Sequence, residues 1–579
     1  MTNKNKPMKE LNARMRTIFI NLDPRFQSII IGIIVGLFSG FAAVGLNYGL
    51  EKLSHLLHQF HGRFYVVLFP IVGIVLTVLV LKYIIKDFGG HGVPEVIYSV
   101  SIKGGALKFR SSFSKLIGSL ITISSGGSAG PEAPVVISGA AIGSNISGYF
   151  KSNERLRVAA AGSGAAAAIA SIFNAPIAGI IFTMEVILGE WSFKDMLPVA
   201  ISSVTGTIVS RLMKGNQIPF THRGVEVNIN DIFATLGLAV AFAVFSVIFI
   251  KLLKWTSMVL EKLFKQALSI ALFGGLLVGV VTLFFPYVKG EGYELVRQLI
   301  AGKFSSAAAL VLLLVLMKML ATSLTLGSGG SGGVFAPALV MGSLGGFFYF
   351  QLLTLVFPGT NFTGAALFSL VGMAGMLSGT LHAPLTGIFL IVEITGGYDA
   401  ILPLLLVSFL TSTLVKLAEK HSIYHYELVK KGLLLRPRTD GRILSEIQPA
   451  ELLETDLIPI HPEMVLKDLI PLVQKSRRNY FPVEDQKSGD FLGMVYFNDI
   501  KNYLFEPHLV NSIIVEEVMQ SEITTVSLSD SVGDILNTFE TTNAWSLPVV
   551  EHKKFLGLIS KATMLDHYRK ELKAQTEDY

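Results

Sequence analysis

Five long apolar runs decide what this chain can fold into. They are SIIIGIIVGLFSGFAAVGL (28–46), FYVVLFPIVGIVLTVLVLKYII (64–85), IFATLGLAVAFAVFSVIFI (232–250), LSIALFGGLLVGVVTLFF (268–285) and AAALVLLLVLMKMLA (307–321). Each comes close to the roughly 20 residues that carry a helix across a bilayer. Charged residues make up 16% of the 579, where a soluble chain carries about 25%. With 51% hydrophobic residues and a mean hydropathy of +0.57, the sequence reads as a mainly α, polytopic membrane protein.

The first segment, MTNKNKPMKELNARMR, is basic and leads into the first span. It lacks a short apolar stretch with a small-residue cleavage site, so no signal peptide is expected. Its Lys and Arg place residues 1–20 on the cytoplasmic side. There are no cysteines, which excludes disulfides and thiolate metal sites. The net charge of +6 lies largely in polar flanks and says little about partners. Composition changes near KKGLLLRPRTDGR (430–442), beyond which charge content is ordinary. The reading is a membrane domain over 21–430 and a soluble domain from about 445.

The membrane domain repeats itself. FNAPIAGIIFTMEV (173–186) returns as LHAPLTGIFLIVEI (381–394), with Ala175/Ala383, Pro176/Pro384, Gly179/Gly387, Ile180/Ile388 and Glu185/Glu393 identical. GHGVPEV (90–96) returns as GEGYELV (290–296), and GPEAPVVISGAAIG (130–143) as GVFAPALVMGSLGG (333–346). Three ordered matches, at offsets of 200, 203 and 208 residues, mark a duplicated half. The halves run over about 28–215 and 230–428. Chance recurrence of Gly and Ala, both common in membrane helices, would not keep order and spacing three times.

Duplicated halves typify transport folds, whose sites lie where helices start or stop inside the bilayer. SSGGSAGPEAP (124–134) and GSGGSGGVFAP (327–337) fit such interruptions. Each glycine-rich loop is expected to lead into an apolar helix of about ten to twelve residues, ended by another Gly pair. Irregular backbone at this depth needs protein or a water-filled cavity around it. A helix starting there aims free N–H groups and its positive dipole end at the cavity, which favours an anion. Two opposed starts hold an anion without a fixed cation, and conduction needs such weak binding. Glu132, at the mouth of the first helix, matches Phe335 in the second. Its carboxylate competes with an anion for the same N–H groups and reads as a gate. The alternative is an acid fixed at the helix start by the dipole.

These residues resemble the CLC family of chloride channels and proton-coupled chloride exchangers. GHGVP (90–94) is similar to the family's GSGIP motif, GPEAP (130–134) to GREGP, GGVFAP (332–337) to GxFxP, and IYHY (423–426) to its terminal tyrosine region. The resemblance implies two inverted-topology repeats of tilted and broken helices and a homodimer with one anion path per subunit. It implies a chloride held by the N–H groups of Val334 and Phe335 and the Tyr424 hydroxyl. Glu132 becomes the external gate, with an outer site at the N–H groups of Glu132 and Ala133; His91 and Gly92 belong to the same anion path. An alternative register on GSAGP (127–131) would put Ala129 at the gate. It loses the match of Gly139 and Gly143 and is rejected.

Three departures matter. His91 stands at the usual pore serine, either donating to the anion or turned aside to backbone. Pro131 replaces a basic residue, suiting a helix's first turn but removing an N–H donor. Val186 occupies the place where family exchangers usually carry an inward, proton-passing glutamate. Its neighbour Glu185 resembles the family's structural acid, and with Glu393 it is expected to fix helix ends and the subunit interface. Valine here leans the reading toward a passive, gated chloride channel, although some family exchangers also lack the inward acid. The alternative is a chloride/proton antiporter.

The tail repeats too. NYFPVEDQKSGDFLGMVYFNDI (479–500) parallels AWSLPVVEHKKFLGLISKATML (544–565), each preceded by an amphipathic helix, 464–474 and 531–540. The pair resembles two CBS modules, 445–508 and 514–573, forming a cytoplasmic α/β domain. That implies an adenine nucleotide in the cleft, with Asp499 at the ribose-binding position and Thr563 in its place in the second module; a purely structural tail is the other reading. No basic stripe with a recognition helix speaks for nucleic acid. The spans hold no nucleophile–base pair, metal cluster or cofactor loop, so neither an enzyme nor a metal site is expected.

Overall fold

The computed structural model describes residues 16–60, 62–87, 92–216, 220, 226–430, 444, 447–476, 478–503 and 506–576. The chain forms two compact units, divided between Leu434 and Leu435.

Among the described residues of the first unit, nine helices are long and apolar enough to cross a membrane. The two halves match helix for helix. Pro24–His58 corresponds to Ile229–Leu263, Arg63–Leu79 to Ala267–Phe284, Val93–Ile102 to Tyr293–Ile300, and Ser114–Ser124 to Ala308–Gly327. Glu132–Tyr149 corresponds to Phe335–Val356, Glu154–Phe173 to Ala365–Leu381, Pro176–Phe182 to Pro384–Thr395, and Phe193–Lys214 to Ile401–Ala418. The helices Pro24–His58 and Ile229–Leu263 have 35 residues each. At 1.5 Å per residue each is about 50 Å long, well beyond a hydrocarbon core of about 30 Å, so each crosses at a tilt.

Two of the helices expected to be short are not. Glu132–Tyr149 has 18 residues and Phe335–Val356 has 22, and both run through the glycines expected to end them. Those glycines are contact points. A Cβ on Gly143 would strike the Ala160 carbonyl oxygen, and one on Gly346 the Phe368 carbonyl oxygen. Glycine in a helix interior costs about 1 kcal/mol relative to alanine. Here it lets the following helix, Glu154–Phe173 or Ala365–Leu381, pack backbone to backbone.

The Glu185/Glu393 pair has a specific job. Glu185 sits in a π-helical turn, Thr183–Leu188, and its carboxyl accepts from the N–H of Leu385 (3.1 Å), the N–H of Thr386 (2.7 Å) and the Thr386 hydroxyl (2.7 Å). Glu393 accepts from the N–H of Ile177 (3.0 Å) and Ala178 (2.7 Å). Each acid therefore caps the start of the helix that carries, or leads into, the other. Helix starts leave N–H groups without partners, and a bilayer offers no water to satisfy them. The recurring Ala-Pro supplies the turn. Asn174 and His382 end the preceding helices at φ 56° and 58°, and Pro176 and Pro384 open the next ones without needing an N–H.

In the second unit two antiparallel hairpins repeat one plan. β1 (Tyr480–Glu484) pairs with β2 (Phe491–Tyr496), and β3 (Ser546–Glu551) with β4 (Lys554–Ser560). The register slips at Val483/Glu484 in one and at Val549/Val550 in the other, the same place in each. A third segment joins each hairpin. Glu454 pairs with Leu558 of β4, and Gln520 with Met494 of β2. Leu466–Lys475 and Val532–Thr542 cover the hairpins with Leu466 and Leu469, and with Val532, Ile535 and Phe539, all buried.

Replacing Glu185 by Ala strands three donors, and replacing Glu393 strands two. A buried donor left unsatisfied costs about 1–3 kcal/mol. Thermal unfolding in detergent is expected to show both variants destabilised, Glu185→Ala the more; an unchanged midpoint for both would remove the caps from the stability account.

Candidate functional site

The Gly-rich loops meet at the middle of the first unit. Gly130 N–H donates to the Gly333 carbonyl (2.9 Å) and Gly333 N–H to the Gly130 carbonyl (2.7 Å). The flanking bonds are reciprocal as well. Ser128 N–H donates to the Thr325 hydroxyl and Ser331 N–H to the Thr122 hydroxyl, both at 3.0 Å. Each of these pairs is matched by its repeat mate 203 residues away, and antiparallel pairing of equivalent residues is what a two-fold axis between repeats produces. The loops are satisfied by each other, as irregular backbone in a membrane must be. Glycine is required at the crossing. A Cβ on Gly333 would lie 2.8 Å from the Ala133 Cβ, and one on Gly130 would lie 2.9 Å from the Ala336 Cβ.

Two helices start at this crossing. Pro131 (φ −79°, ψ −9°) and Val334 (φ −88°, ψ −7°) hold the same position before the first turns. Pro131 thus stands just ahead of the first turn rather than in it. The N–H groups of Val334 and Phe335 donate to no described residue. Val334 lines a cavity of about 580 Å³ together with Gly92, Pro94, Lys115, the glycines 329–330 and 332–333, and Tyr424. Tyr424 comes from the short helix Ile423–Lys430 and is buried. The structure thus brings Gly92, Val334 and Tyr424 to one cavity.

Glu132 and Phe335 do not line it. The Phe335 ring, 1% exposed, packs between Phe173 (5.6 Å between ring centres) and Phe182 (6.1 Å). The Glu132 side chain, also 1% exposed, reaches the opposite helix start, where one carboxyl oxygen accepts from Ala336 N–H at 3.4 Å. That contact lies two positions along the chain from Val334, in the cavity wall. The carboxyl group therefore takes up one of the N–H groups that an anion leaving the cavity along this helix start would meet. Ala133, also buried, lies beside Gly92; a Cβ on Gly92 (φ +85°) would come 2.9 Å from the Ala133 carbonyl oxygen. His91 lies outside the described residues.

Sequence reasoning missed Tyr293. Its hydroxyl donates to the other Glu132 oxygen at 2.5 Å. It occupies the place of Val93 in the second copy of the GHGVPEV motif, and Gly292 (φ +88°) shares the positive φ of Gly92 (φ +85°). The repeat pointed to the position, but the family motif covers only the first copy. Lys318 was also passed over, being one charge in an apolar run. It is 1% exposed and donates to the carbonyls of Val288 (3.0 Å) and Gly290 (2.8 Å), tying down the loop before Tyr293.

In the second unit Asp499 is half-buried, and one of its oxygens accepts from the Gln520 amide at 3.0 Å. Thr563, its counterpart, hydrogen-bonds to Glu454 and Ser560. Glu454 also pairs with Arg478 at 2.5 Å. The second Asp499 oxygen has no partner among the described residues, while the Thr563 hydroxyl is engaged within the protein.

Comparison with known proteins agrees with this architecture. A voltage gated chloride channel family model matches residues 73–416, and a CBS domain model matches 515–570. An H(+)/Cl(-) exchange transporter, ClcA, from Vibrio cholerae is 29% identical over 398 residues, 66% of this chain and 84% of that protein. A putative chloride channel protein, ClcB-like, from Ralstonia nicotianae is 32% identical over 346 residues, 58% of this chain and 80% of the relative. The crystal structure of a slow cyanobacterial Cl-/H+ antiporter superposes with a TM-score of 0.64 at 24% identity, covering 71% of this chain and 99% of that one. That of a eukaryotic CLC transporter gives 0.62 at 19%, covering 93% and 98%. With its paired half-helix starts, its multi-pass helical membrane domain and its CBS-containing tail, the chain belongs to the CLC family of anion transport proteins.

Proposed function

We propose that this protein exchanges chloride for protons across a membrane, with Glu132 as the group that serves both ions. One observation carries the reading. The Glu132 carboxyl lies buried against the opposite helix start, on the N–H of Ala336, two residues beyond the cavity wall at Val334. A carboxylate and a chloride cannot both take those N–H groups. Protonation removes the charge that competes, and the side chain gives way to the anion. A chloride entering from the other side favours the neutral acid in turn. That mutual exclusion is the coupling an exchanger needs.

This corrects the lean toward a passive channel. The lean rested on Val186, which is buried in the π-helical turn after Pro176–Phe182. The relatives favour the alternative, since the Vibrio proteins that span two thirds of this chain are named exchange transporters. An absent acid at one position removes one proton carrier, not every hydroxyl or water that could pass a proton to Glu132. Chloride then sits at the N–H groups of Val334 and Phe335 and at the Tyr424 hydroxyl, with an outer site at the N–H groups of Glu132 and Ala133. The family resemblance supports a homodimer with cytoplasmic termini, and an adenine nucleotide at Asp499 as the ligand of the tail.

Purified protein in liposomes tests the exchange. An outward chloride gradient is expected to drive protons inward against a pH gradient. A reversal potential that follows chloride alone would reject exchange and restore the channel. Glu132→Gln is expected to keep chloride flux, to abolish proton movement, and to flatten the rise of flux as pH falls. Unchanged coupling would remove Glu132 from the gate. Tyr424→Ala is expected to change the ratio of chloride to bromide and nitrate flux by several-fold, the scale of one lost hydrogen bond to an ion. Identical ratios would count against the central site.

A further inference from the structure

Glu132 is held from two sides, and only one of them is the helix start. The second is Tyr293. Its hydroxyl donates to Glu132 Oε1 at 2.5 Å, shorter than the 3.4 Å contact from Ala336 N–H to the other oxygen. Everything around Tyr293 fixes that hydroxyl in place. Its ring lies edge-on to Phe173 (6.4 Å) and Phe220 (5.6 Å), and Phe173 in turn packs on Phe335. Phe220 N–H is bonded to the Ile394 carbonyl. Gly292 opens the Tyr293 helix in the left-handed region, and a Cβ there would meet Val340 at 3.0 Å and Lys318 Nζ at 3.4 Å. Lys318 clamps the carbonyls of Val288 and Gly290 just upstream. A tyrosine so placed has little rotamer freedom to lose when it binds the carboxyl.

We propose that Tyr293 is a latch for the gate: a positioning residue whose hydroxyl holds the Glu132 carboxyl in the closed position and so sets the pH at which the gate opens. The proposal rests on the reading of Glu132 as the gate. A phenol at neutral pH donates, and a donated bond favours a charged carboxylate over a neutral acid. The latch therefore tightens on the ionised gate and loosens when the gate takes a proton. Among the described residues, the other ionisable groups in reach are Glu291 beside Tyr293 and Tyr424 on the cavity side of Glu132. Glu291 in turn faces Lys318, Lys214 and Arg297. They set a background field common to wild type and variant. The valine at the equivalent place of the first repeat, Val93, offers no hydroxyl, so the latch is built on one side of the two-fold only.

The test is chloride flux against pH for the full-length wild type, Tyr293→Phe, Glu132→Gln and the double variant in liposomes. Tyr293→Phe is expected to move the midpoint of the flux profile up by about one pH unit, the shift one hydrogen bond to an ion carries. In the Glu132→Gln background the same change is expected to do nothing to the profile. A Tyr293→Phe profile that overlays wild type, while Glu132→Gln flattens it, overturns the latch and leaves the gate standing. A Glu132→Gln profile that overlays wild type overturns both. Infrared difference spectra of the wild-type protein against Glu132→Gln read the bond without any change at Tyr293. A tyrosine ring band that titrates together with the carboxylate bands is expected, and its absence overturns the latch.

Discussion

Unpaired main-chain N–H groups at helix starts inside a membrane govern this structure. Each costs several kcal/mol in hydrocarbon unless something accepts from it. The protein has two answers. At the start of Pro176–Phe182 and of Pro384–Thr395 it spends an acid, Glu393 and Glu185, and the ends are closed for good. At the start of Phe335–Val356 the N–H groups of Val334 and Phe335 meet no described acceptor, Val334 lines a cavity, and the Glu132 carboxyl reaches across to Ala336 N–H. The same chemical need is met by a buried acid at one pair of helix starts and left open beside a cavity at another, which separates scaffold from candidate site.

The two-fold relation explains how such a site stays rigid while it remains open. Ser331 donates to Thr122 as its repeat mate Ser128 donates to Thr325, and Gly130 and Gly333 bond to each other. These main-chain N–H bonds are thus made twice, and a shift in one loop strains both. The asymmetry lies in what hangs on the frame. In the repeat Glu132 corresponds to Phe335, Val93 to Tyr293, and His91 to Glu291. The frame is duplicated, and the working side chains are not.

Much of this was legible before any coordinates. The repeat located the crossing because glycines and prolines in ordered pairs report backbone geometry directly. Glu132, Val334 and Tyr424 were found because their neighbours in the chain carry the family motifs. The sequence misled at Gly143 and Gly346, where glycine reads as a stop but serves helix contact. It was silent on Tyr293, because a hydroxyl that reaches across 161 residues leaves no local pattern. Val186 carried the lean toward a channel, which the exchange transporters among the relatives do not support. A missing acid was read as a missing function, although proton transfer depends on a path and not on a single residue. The pairing of Glu454 with β4 and Gln520 with β2 was likewise invisible, since main-chain pairing carries little side-chain signature.

That last exchange has a consequence for the tail. The opening segment of the first module completes the sheet of the second, and the opening segment of the second completes the sheet of the first. A chain severed ahead of residue 454 keeps both sheets, whereas one severed between 454 and 480 bares an edge of β4, far along the sequence. Bare edges invite pairing with other chains. Damage near the beginning of the tail therefore surfaces near its end, because each half borrows an edge segment from the other.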